Sequence, residues 1–108
     1  MSFEVVTSAV FDRRAKRLAK KYGTLGDDLI ALGERLADEP HLGTPLGMGC
    51  YKVRMAIASK GKGKSGGARV ITYVQVVRNR VALLTLYDKS ERDTITLKEL
   101  KAIIETLS

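Results

Sequence analysis

Apolar residues change their spacing once along this chain, and that change limits the folds open to it. From Phe11 to Leu36 they recur every three or four positions: Phe11, Ala15, Leu18 and Tyr22, then Leu25, Leu29, Leu32 and Leu36. Such spacing lines side chains along one face of a helix. From Tyr51 the period is two: "YKVRMAIA" alternates Tyr51, Val53, Met55 and Ile57 with Lys52 and Arg54, and "ARVITYVQVV" and "VALLTLY" follow as β-prone runs. Helices first and strands afterwards predict an α+β domain, not alternating βαβ units.

Punctuation sharpens this frame. "FEVV", Phe3 to Val6, reads as a short strand; Thr7 or Ser8 caps the first helix and Gly23 ends it. Thr24 caps the second, with Asp27 and Asp28 in its first turn where the helix dipole favours anions, and Pro40 follows its end. The last two strands join through Arg78-Asn79-Arg80. Thr96 with Glu99 three residues on forms a capping box, and Leu97, Leu100, Ile103, Ile104 and Leu107 give a short C-terminal helix its apolar stripe. The expected order is β-α-α-β-β-β plus that helix. A helical hairpin packs on a mainly antiparallel, twisted sheet, and at 108 residues with 44% hydrophobic content the expectation is one domain over 1–108.

Charge is regional. Met1 to Glu39 holds seven bases and seven acids, and Asp88 to Ser108 four bases and five acids. Between Pro40 and Tyr87 stand Lys52, Arg54, Lys60, Lys62, Lys64, Arg69, Arg78 and Arg80 without one Asp or Glu, a local charge of +8 in a chain of +7. An acid-free basic segment is the footprint of a polyanion binder, most often of nucleic acid; the plainer reading is a soluble basic face. Within it "ASKGKGKSGGARV" sets three lysines and an arginine among four glycines, a composition suited to a tight connection or a mobile basic arm.

Other classes fit poorly. Gly63-Lys64-Ser65 matches the end of a phosphate-binding loop, but the first glycine of that motif falls at Ala58 and a strand follows where a helix is required, so nucleotide hydrolysis is excluded. Cys50 and His41 are too few soft ligands for zinc, no cofactor is expected, and His41 beside Pro40 reads as structural. No apolar run reaches membrane-spanning length, and "MSFEVVTSAV" lacks the pattern of a signal peptide; the expectation is a cytoplasmic protein without membrane contact.

The order of elements, the run "GCYKVRMAIASKGKGKSGGARVITYV" and the later "LLTLYDKSERDTITLKEL" resemble the RelE/HigB family of bacterial type II toxins, within the RelE/ParE superfamily, over essentially the whole chain. The resemblance implies a RelE-like α+β fold and a ribosome-dependent mRNA endoribonuclease (an mRNA interferase) that inhibits translation. It also implies a cognate antitoxin with a DNA-binding domain, through which alone operator DNA is bound. By position it puts Arg69 on the scissile phosphate, Lys52 and Arg54 on the preceding strand with their facing set by register, and Lys89 and Arg92 in the basic cluster after the last strand. The family's aromatic falls near Thr96 here, which leaves Tyr87 to stack on a base. A related branch poisons DNA gyrase, and a non-catalytic RNA- or ribosome-binding module is a third reading.

The implied reaction is attack of a ribose 2′-hydroxyl on its own 3′-phosphate, leaving a 2′,3′-cyclic phosphate. It needs a base, cations for the charge on phosphate oxygens, and an acid for the leaving oxygen. Arg69, always protonated and planar, suits the phosphate clamp. Lys64 or Lys89, crowded by other cations, is the expected base. Lys60, Lys62 and Lys64 are expected as a mobile clamp on the RNA backbone.

Overall fold

The computed structural model describes residues 2–107. Strand β1 (Glu4–Thr7) leads into helices α1 (Ala9–Lys21) and α2 (Leu25–Asp38). Then come β2 (Thr44–Gly47), β3 (Cys50–Met55), a 3₁₀ turn (Ala58–Lys60), a single helical turn α3 (Gly63–Gly66), β4 (Ala68–Gln75), β5 (Arg80–Asp88) and α4 (Leu97–Ile104). One sheet in the order β1-β5-β4-β3-β2 results; β1 runs parallel to β5 and every other pair is antiparallel. Among the described residues, no helix is long and apolar enough to cross a membrane.

The predicted α+β layout holds, with local corrections. Strand β2, "TPLG", is absent from the expected order because Pro45 and Gly47 weaken a strand signal; at a sheet edge the missing proline N–H costs nothing. Helix α1 stops at Lys21 with Tyr22 as its C-cap, before Gly23. Arg80 belongs to β5, where it pairs with Gln75, while Asn79 takes the left-handed turn position at φ 53°.

Each face of the sheet has its own core. Phe11, Leu18, Leu25, Leu32 and Leu36 of α1 and α2 pack on Val53, Val70, Val81, Leu83 and Leu86. Leu100 and Ile103 of α4 pack on the opposite face with Cys50, Ile71, Ala82, Leu84 and Tyr87, although Leu97 of the predicted stripe stays exposed. Full burial of a leucine such as Leu25 or Leu36 contributes roughly 1.5–3 kcal/mol.

A β-bulge decides which residues reach the α4 face. Ile71 pairs with Thr85 and Thr72 with Leu83, so Leu84 is the extra residue of β5 and the alternation inverts there. Ser8 holds this irregularity: its hydroxyl donates to the Leu84 carbonyl (2.6 Å) and accepts the Phe11 N–H that caps α1 (3.0 Å). The shift places Tyr87 on the same face as Ile71, away from α1 and α2.

Candidate active site

Register builds the site. Arg54, Arg69 and Tyr87 are direct partners across β3, β4 and β5, and Lys52 lies one pleat away, opposite Ile71. Partners in register share a face, and Tyr87 and Ile71 belong to the α4-side core. Lys52 and Arg54 therefore both flank Arg69, which settles the facing that the sequence left open.

Arg69 itself departs from expectation. In place of an outward arginine on a phosphate, the fold holds a side chain that is only 2% exposed. Its Nε donates to Asp93 Oδ1 (2.8 Å), Nη1 to the carbonyls of Lys64 (3.1 Å) and Ala68 (3.3 Å), and Nη2 to the Ser65 carbonyl (3.2 Å). The helical turn α3 and the segment after β5 fold over the guanidinium because their carbonyls and carboxylate need its donors. Arg69 thus organises two loops and contributes charge from beneath the surface.

The glycine-rich segment is more ordered than a swinging arm. Ser59 N–H donates to Thr24 Oγ1 (2.9 Å) and Ala58 N–H to Asp28 Oδ2 (3.1 Å), which tie its start to α2. Lys60, expected on the RNA, instead donates to Asp88 Oδ1 at 2.6 Å and lies 5.7 Å from the Tyr22 ring. Asp88, fully buried, also accepts Tyr22 OH and the Ser90 N–H. Burial opposes its charge, but these hydrogen bonds outweigh it and hold the carboxyl well below its ordinary range. Lys60 is therefore a structural ion pair, while Lys62 and Lys64 remain exposed. The turn Gly63–Gly66 intervenes before β4, where the sequence predicts none, yet one turn is no phosphate-binding helix.

Beyond β5 the expected basic cluster is half occupied. Arg92 forms a bidentate pair with Glu99 (2.9 and 3.0 Å), which pulls that carboxyl down to about 2, and its guanidinium lies 5.2 Å over the Tyr87 ring. Tyr87 is 5% exposed, burial raises its phenol, and Arg92 lies over the ring expected to stack on a base. Lys89 is partly exposed and its charge bears on Asp93.

Three features lie beyond the sequence reading. Asp93 stands outside the acid-free segment, yet the fold sets it against Arg69, with Lys52 Nζ donating to its carbonyl (3.0 Å) and lying 3.8 Å from Oδ2. The Arg69 hydrogen bond, aided by the Lys52 and Lys89 charges, holds its carboxyl low. Helix α1 carries Arg13, Arg14, Lys16, Arg17, Lys20 and Lys21 against Asp12; pooled with α2's acids, this basic helix looks neutral, and counting by helix finds it. Arg14 and Arg17 line a cleft of about 140 Å³ with Tyr87, Asp88, Glu91 and Arg92. Finally, at the start of β2 a groove of about 370 Å³ includes Arg35, Lys52, Arg54 and Lys64 among its lining, with no acid.

The arrangement can hold and polarise a phosphodiester. Comparisons with known proteins bear on its fold and its family. The chain resembles the toxin-antitoxin complex RelBE2 from Mycobacterium tuberculosis, with TM-score 0.61 and 17% identity over 82% of this chain and 92% of that one. It also resembles an arginine double mutant of the E. coli toxin RelE in the free state, with TM-score 0.58 and 16% identity over 98% of this chain and 94% of that one. At such identity these likenesses speak for the fold, which is a RelE fold. The family described as "RelE toxin of RelE / RelB toxin-antitoxin system" matches residues 8–107, and the chain belongs to it.

Proposed function

We propose that the protein is a toxin that cleaves mRNA on the ribosome and is restrained by a cognate antitoxin. The observation that carries this reading is the cationic row that register assembles, Lys52 and Arg54 beside Arg69, continuing into a groove whose charged side chains are all basic. Lys52, Arg54 and Lys64 contact the phosphates around the scissile bond. Arg69 adds charge from below and fixes the loops, and the 2′-hydroxyl attacks its own 3′-phosphate to leave a 2′,3′-cyclic phosphate and a 5′-hydroxyl. Fixed cations suit this step because charge builds on the phosphate oxygens as the bond forms.

The antitoxin reading rests on family membership and on charge. The M. tuberculosis relative is a toxin-antitoxin complex, and a basic surface of this density is most simply blocked by an acidic segment laid over it. The antitoxin's DNA-binding domain then carries the pair to operator DNA.

Purified ribosomes programmed with a defined mRNA test the activity. Cleavage that needs both ribosome and toxin, and that drops about 10²-fold in Arg54→Ala, is the expected result. Intact mRNA overturns it, and inhibition of gyrase supercoiling with translation unaffected moves the chain to the gyrase-poisoning branch.

A further inference from the structure

The geometry points to Asp93 as the proton acceptor for the attacking 2′-hydroxyl, a role that rests on the cleavage reading above. Two other carboxylates near the row, Asp88 and Glu99, are committed elsewhere. Asp88 is fully buried and holds Lys60, Tyr22 and Ser90. Glu99 is bidentate with Arg92 and closes the α4 capping box. Asp93 differs: its side chain is 52% exposed, Oδ1 is fixed by Arg69 Nε, and Oδ2 has only the 3.8 Å approach of Lys52, which leaves its lone pairs open to a hydroxyl.

Arg69 explains why a carboxylate can stand there. A buried guanidinium that spends its other donors on the Lys64, Ala68 and Ser65 carbonyls cannot swing away, so it fixes Asp93 as a positioning residue fixes a base. Pairing with Arg69 and Lys52 keeps the carboxylate ionised at neutral pH. A phosphodiester arriving on Lys52 and Arg54 brings negative charge that offsets part of this cationic field and restores basicity at the moment of reaction.

In the reaction, Asp93 Oδ2 takes the 2′-hydroxyl proton, the O2′–P bond forms and the P–O5′ bond breaks. The departing O5′ takes a proton from the Lys89 ammonium, a partly exposed cation just after β5 whose backbone N–H donates to the Gly67 carbonyl (3.0 Å), two residues before Arg69. Solvent water then removes the proton from Asp93 and returns one to Lys89.

Asp93→Asn and Lys89→Gln, assayed as single-turnover mRNA cleavage on purified ribosomes, test both roles. Asparagine keeps an oxygen for Arg69 Nε but gives up the charge of the pair, so a modest fall in melting temperature is expected while ribosome affinity should match the parent. Expected is a fall of about 10²–10⁴-fold in the cleavage rate for Asp93→Asn without change in ribosome affinity. An mRNA with sulfur in place of the bridging O5′ needs no acid, so it should relieve the Lys89→Gln defect and leave the Asp93→Asn defect in place. Asp93→Asn cleaving within two- or three-fold of the parent, or faster, would overturn the assignment and leave the carboxylate as a mere occupant of the phosphate position. Relief of Asp93→Asn by the sulfur substrate would equally overturn it. If the parent itself leaves mRNA intact, the cleavage reading fails and this assignment with it.

Discussion

Arg69 ties α3 to Asp93, in the segment after β5, through one guanidinium, so its removal has two separable consequences. Arg69→Ala should lose cleavage by about 10²-fold or more and also lower stability by about 2 kcal/mol, since charge-assisted bonds to Asp93 and three carbonyls vanish. Arg69→Lys should restore little of either, because one ammonium cannot span those acceptors. Urea titration beside the cleavage assay separates the two losses; a fully stable Arg69→Ala variant would contradict the structural half. In the sequence, Arg69 is picked out only through the family resemblance. Its burial is not legible, because that depends on distant segments closing over it. Asp88 and Glu99 carry a second prediction. Both carboxyls titrate lower folded than unfolded, Glu99 at about 2 against 4.5, so their stabilisation is complete above the ordinary carboxylate range and fades as pH falls through it. The urea midpoint should drop between neutral pH and about pH 3, and less so in Glu99→Gln.

At the scale of elements, both long helices and β3 can be read from period, a stripe at i, i+3, i+4 or alternation at i, i+2, while β4 and β5 are read from their β-prone composition. Strand β2 cannot, since Pro45 and Gly47 hide it, and the β5 bulge leaves no mark in a run that is apolar at every position from Val81 to Tyr87 except Thr85. The glycine-rich stretch looks like a basic arm because glycine content signals freedom, while its tethers lie on α2 and β5, far off in sequence. Those tethers divide the lysines into two classes. Lys62→Gln with Lys64→Gln should flatten the salt dependence of ribosome binding by about one unit for each phosphate no longer neutralised, and leave stability unchanged. Lys60→Gln should do the reverse, destabilising by about 3 kcal/mol because a buried carboxylate loses its partner. Equal effects of all three on the salt slope would restore the mobile-clamp reading. Gly67 marks how tightly the turn is held: a Cβ there would come within 2.1 Å of the Met55 carbonyl oxygen, so Gly67→Ala should disrupt the end of the β3–β4 pair.

Across the whole molecule, charge forms surfaces that a count along the sequence only half reveals. Of the acid-free stretch from Pro40 to Tyr87, Lys52, Arg54 and Arg69 form the row on β3 and β4, whereas Arg78 and Arg80 lie at the other end of the β4–β5 hairpin; Asp93 enters the row from outside the stretch, and α1 adds a basic face of its own. A partner that covers these cations should raise the melting temperature of the folded toxin by mass action, and co-purification from cells with an Arg69→Ala version should capture the product of the neighbouring gene. Cleavage of mRNA as it is read can be checked by mapping RNA 5′ ends in cells after induction of the protein. New ends bearing a 5′-hydroxyl are expected inside coding regions, in phase with codons, and absent for Arg54→Ala. Growth arrest with the mRNA intact, or ends spread equally over untranslated RNA, would contradict it.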